Sequence, residues 1–85
     1  MNARDVSQVL DRTARVLDES ARLAAAHADR QERAGRIDLA LEERRAAARA
    51  AEAAERARVL ASRFGELATE GAARTRDRHS VYQPD

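Results

Sequence analysis

The sequence predicts an all-α protein: an antiparallel two-helix coiled-coil hairpin that turns near Gly35 and assembles into a four-helix bundle. Three observations predict it. Alanine, the best helix former, occurs 21 times among the 85 residues. Breakers are scarce, with Gly35, Gly65, Gly71 and Pro84 making up the whole set, which leaves little scope for sheet turns. Apolar and small residues recur at alternating spacings of three and four on both sides of Gly35, the pattern of helices that each keep one face in a seam.

Helix one is expected over about residues 4–33. Its stripe is Ala3, Val6, Leu10, Thr13, Leu17, Ser20 and Ala24, with His27 continuing the column. Val9, Val16 and Leu23 lie beside the stripe at seven-residue intervals and widen it. Asn2 or Asp5 supplies the side-chain oxygen that a helix start needs. Asp11–Arg15, Asp18–Arg22, Asp29–Arg33 and, in the second segment, Glu52–Arg56 each set an acid four positions before an arginine, the orientation that supports a solvated helix face.

Gly35 follows as the turn, because a tight helix–helix connection needs a positive φ. The competing reading is one uninterrupted helix, in which a glycine costs only about 1 kcal/mol. Gln31 and the shift of stripe between the two segments speak against it.

Helix two is expected over about residues 38–70, with Asp38 as its cap and Gly71 just past its end. Its stripe is Ala46, Ala50, Ala53, Ala57, Leu60, Phe64 and Leu67, flanked by Ala47, Ala54, Ala61 and Ala68. Set antiparallel, Val6 faces Phe64, Leu10 faces Leu60, Leu17 faces Ala53 and Ala24 faces Ala46. The numbers in each pair add to 70 and centre the fold on Gly35. The predicted seam is therefore Val6, Leu10 and Leu17 against Ala53, Ala57, Leu60, Phe64 and Leu67. Residues 1–71 form the hairpin, and residues 72–85 form a basic tail without periodicity, expected to be disordered, in which Val81 and Tyr82 are candidate anchors.

Charge narrows the function. All 16 basic residues are arginine, and the net charge is +1. Abundant alanine and arginine without lysine is the codon signature of a GC-rich genome. Each predicted helix balances its arginines against its acids, so any basic bias sits in the tail at Arg74, Arg76 and Arg78. Without cysteine there is no disulfide or thiolate metal site. No apolar run approaches the ~20 residues of a membrane span, and the first residues lack the apolar core of a signal peptide, so a cytoplasmic protein is expected. No nucleophile–base pair, phosphate loop or metal-ligand spacing occurs, so no enzyme, cofactor or small-molecule substrate is expected.

Residues 35–47 resemble the turn and second helix of a tetratricopeptide repeat at Gly35, Ile37, Ala40 and Ala47. Arg44 stands where that family carries an aromatic residue, its closing proline is missing, and helix one lacks its Trp-Leu-Gly pattern. The resemblance implies a helix–turn–helix at Gly35 and nothing about function.

A lone hairpin cannot bury both sides of so wide an apolar strip. The economical solution is a second layer, supplied either by a second copy or by another helical protein. Val16, Leu23, Ile37, Leu41 and Val59 are the expected partner interface. The alternative is a small dimeric nucleic-acid-binding protein that presents Arg44, Arg45, Arg49, Arg74, Arg76 and Arg78 to phosphates.

Overall fold

The structure, a computed structural model, describes the backbone of residues 1–81 and the side chains of residues 1–76. It consists of α1 (Ala3–Arg33) and α2 (Ile37–Val81), packed along the length of α1 in a hairpin whose Cα extents are 79 × 16 × 12 Å. No helix among the described residues is long and apolar enough to cross a membrane.

Asn2 starts α1. Its side-chain oxygen accepts from the Asp5 amide at 2.9 Å, and Asp5 reaches back to the Asn2 amide at 3.4 Å, so both residues proposed as caps take part in one reciprocal capping box. Arg30 and Arg33 occupy the last turn, where cations complement the negative end of the helix dipole.

Gly35 makes the turn. Its φ is +78°, the conformation that glycine alone adopts freely. The Gly35 amide donates to the Glu32 carbonyl at 3.0 Å and the Arg36 amide donates to the Gln31 carbonyl at 2.8 Å, the paired bonds of a Schellman ending. Only residues 34–36 lie between the helices. The expected cap at Asp38 is corrected, because α2 already starts at Ile37 with the Ala40 amide donating to the Arg36 carbonyl. Asp38 sits inside the first turn, where its charge still favours the helix N-terminus.

The far end of α2 is a second correction. The helix does not stop at Gly71 but runs through it to Val81. A glycine costs only about 1 kcal/mol inside a helix, and Ala72, Ala73 and the Arg74–Glu70 ion pair favour continuing. Residues 69–76 are exposed on every side because they extend past the start of α1. Tyr82 and the side chains of Arg78, His79 and Val81 lie outside the described residues.

Between the helices the seam is made of alanine. Ala14, Ala28, Ala40, Ala54, Ala57 and Ala61 are the buried residues, and no large side chain among the described residues is fully buried. Ser7, Leu10, Leu17, Ala21, Ala24 and Gln31 of α1, with Glu43, Ala47, Ala50, Phe64 and Ala68 of α2, are half-buried around them. Together they form two stripes at alternating three- and four-residue spacing. Ser7 crosses the seam to donate to the Ala61 carbonyl at 2.8 Å, and its Oγ stands 3.6 Å from where a Cβ on Gly65 would be.

Candidate interaction surface

The alanine seam changes which residues are left outside. Half of the predicted seam is in place: Leu10, Leu17 and Phe64 are half-buried and Ala57 is buried. Val6 and Ala53 are half-buried at its edge. Leu60 and Leu67 are not in it, at 42% and 51% exposed, and Thr13, Ser20 and His27 are exposed as well. The correction has one cause. Each helix is rotated by about 50° from the expected facing, at 100° per residue, so that Ala14, Ala21 and Ala28 replace Thr13, Ser20 and His27, and Ala54, Ala61 and Ala68 replace Ala53, Leu60 and Leu67. Two alanine columns bring the backbones closer than leucine columns allow, and the bulky residues turn to one flank.

Cross-helix ion pairs mark the other flank. Asp18 pairs with Arg58, and Arg44 pairs with both Asp29 and Glu32, at 3.2 and 2.5 Å. Asp18 and Asp29 thus reach across to α2 instead of along α1 to Arg22 and Arg33. An antiparallel seam sets like positions of the two helices on the same side, so the flank opposite these pairs carries Val9, Val16 and Leu23 of α1 beside Leu39, Leu60 and Leu67 of α2. All six are exposed.

The five residues expected at the partner interface divide accordingly. All are exposed. Val16 and Leu23 lie on the apolar flank. By their position in the seven-residue repeat, Ile37 and Leu41 lie toward the charged flank, and Val59 lies on the outer side of α2, where it borders a shallow groove with Glu52, Glu55, Arg56 and Leu60. Leu39 and Val9 belong to the flank and were not among the five. Their signal was the seven-residue step they share with Leu60 and Leu67 and with Val16 and Leu23.

The arginines divide too. Arg44 is committed to Asp29 and Glu32, and Arg74 lies 3.8 Å from Glu70. Arg45, Arg49 and Arg76 are exposed and make no ion pair among the described residues. Near the open end, Ser7, Asp11, Arg58, Ser62, Gly65 and Thr69 line an open depression of about 770 Å³ on the charged flank. No three metal-ligating side chains converge among the described residues.

The geometry defines an antiparallel helical hairpin with an alanine seam, one ion-paired flank and one apolar flank. No known family, characterised protein or solved structure matches the chain.

Proposed function

We propose that the protein is a small non-catalytic helical assembly module that works by covering its apolar flank with further helices. One observation carries the reading: the seam between α1 and α2 buries alanines, while Val9, Val16, Leu23, Leu39, Leu60 and Leu67 remain exposed along one side. Burying a leucine or valine contributes about 1.5–3 kcal/mol, and the hairpin by itself forgoes roughly half of that for these six, which are 42–65% exposed. The fold therefore gains further apolar burial on association.

Unfolding followed by circular dichroism over a hundredfold dilution tests this. Stability that falls on dilution, or a weakly helical lone chain, is expected. A hairpin that unfolds cooperatively at one midpoint at every concentration, as a monomer, would overturn the reading.

A second reading is supported by Arg45 and Arg49, which are free of ion pairs among the described residues and stand one helical turn apart. Phosphate contacts through them and through Arg74, Arg76 and Arg78 predict duplex binding that weakens steeply with salt. No binding at low salt removes this reading.

A further inference from the structure

Resting on the assembly reading, we infer that the apolar flank is covered by a second copy of this chain, with α1 packed antiparallel on α1 of that copy about a two-fold axis and Arg12 of each paired to Glu19 of the other.

The first ground is the geometry of α1. Val6, Val9, Thr13, Val16, Ser20 and Leu23 recur at spacings of three and four, a second coiled-coil stripe on a helix that already uses one. At 100° per residue the two stripes point about 100° apart, near the right angle between neighbours in a square four-helix bundle. Val9, Arg12, Thr13 and Val16 border a groove of about 330 Å³. Their spacing is that of the four residues that make a coiled-coil hole. Val16, 65% exposed, is the knob that α1 presents.

The second ground is that the surface is complementary to itself. When Val16 of the second copy enters this hole, Leu23 of that copy comes level with Val6, and Arg12 comes across from Glu19. Both are exposed, and neither makes an ion pair among the described residues. The two-fold repeats the pair. The same placement sets α2 antiparallel on α2 of the second copy. There Ala53 comes level with Leu60 and Ala46 with Leu67, to within a residue, so on these two pairings a small residue meets a large one. A foreign partner would have no reason to match this chain's own spacing of charge and of side-chain size.

The third ground is area. The chain exposes 6847 Å², whereas a compact monomer of 9.4 kDa exposes roughly 5,000 Å². The excess, to which the exposed end of α2 also contributes, is about twice the ~800 Å² per partner that a standard interface needs.

Charge exchange on the full-length chain tests the pairing. Arg12→Glu places acids against acids across the two-fold, and Glu19→Arg places arginines against arginines. Each variant is expected to weaken self-association on the order of tenfold. Mixing the two variants restores it, because the mixed dimer has both pairs attractive. Sedimentation equilibrium reads the masses, and circular dichroism reads the helicity alongside. Three outcomes overturn the inference. A dimer indifferent to both reversals, or a mixture no tighter than its components, removes this pairing while leaving the assembly module intact. A weakly helical monomer at every concentration assigns the flank to a different protein. A stable monomer overturns the assembly reading together with the dimer.

Discussion

Gly35 holds a backbone conformation at φ +78° in which any Cβ is strained, although the space around it is open, with nothing within 4 Å of an added Cβ. The other two glycines are helical, and a Cβ on Gly65 would meet only Ser7 Oγ at 3.6 Å, while one on Gly71 would meet nothing within 4 Å. The same substitution therefore has opposite signs along one chain. Gly35→Ala is expected to destabilise the hairpin by about 1–2 kcal/mol. Gly65→Ala and Gly71→Ala are each expected to strengthen α2 by about 0.5–1 kcal/mol, since alanine loses less backbone freedom on folding than glycine. Urea unfolding at one fixed chain concentration measures all three, and a stabilising Gly35→Ala would mean that the turn is not the one described. Gln31 is a different kind of exception. Its side-chain oxygen is buried with no hydrogen-bond partner, at the last place before the turn where the seam can hold a residue of α1.

At the scale of the helices, the seam's alanines set a prediction that separates the observed rotation from the expected one. Ala54→Leu adds bulk where two backbones approach closely, and overpacking of that kind costs about 1–3 kcal/mol. Leu60→Ala removes a side chain that is 42% exposed and costs less within a single hairpin. Thermal unfolding at low concentration, where association is lost, gives the order; a larger loss from Leu60→Ala would place Leu60 back in the seam. The existence of both helices, the turn at Gly35 and the level at which they meet were legible, because periodicity and a single central breaker determine them: Ser7 does lie opposite Ala61 and Gly65, close to the expected pairing. The rotation of each helix was not. Both α1 and α2 carry two adjacent stripes, one small and one bulky, and hydrophobicity favours putting the bulky one inside. Close backbone approach favours the small one. The columns Ala14, Ala21, Ala28 and Ala47, Ala54, Ala61, Ala68 contained that signal, since they match each other across the turn. Continuation past Gly71 is not legible for a related reason: glycine favours a helix end, but its neighbours Ala72 and Ala73 are strong helix formers.

For the whole molecule, elongation is the property that assembly must accommodate. The radius of gyration is 20.9 Å, whereas a compact domain of this length has about 12 Å. α2 extends well past the start of α1, so a second copy can add mass either beside the hairpin or beyond its ends, and small-angle scattering distinguishes the two. The proposed two-fold through Val16, Arg12 and Glu19 would cross α1 near its middle, about 31 Å from the turn and about 37 Å from the level of Val81 at 1.5 Å per residue. A dimer built on it keeps a longest dimension near the 79 Å of the single hairpin while its mass doubles and its cross-section thickens. Scattering over a concentration series is expected to show the forward intensity doubling at nearly constant length. A length that grows toward twice that of the single hairpin would mean the copies join through the exposed end of α2, leaving the apolar flank uncovered and the α1 pairing wrong.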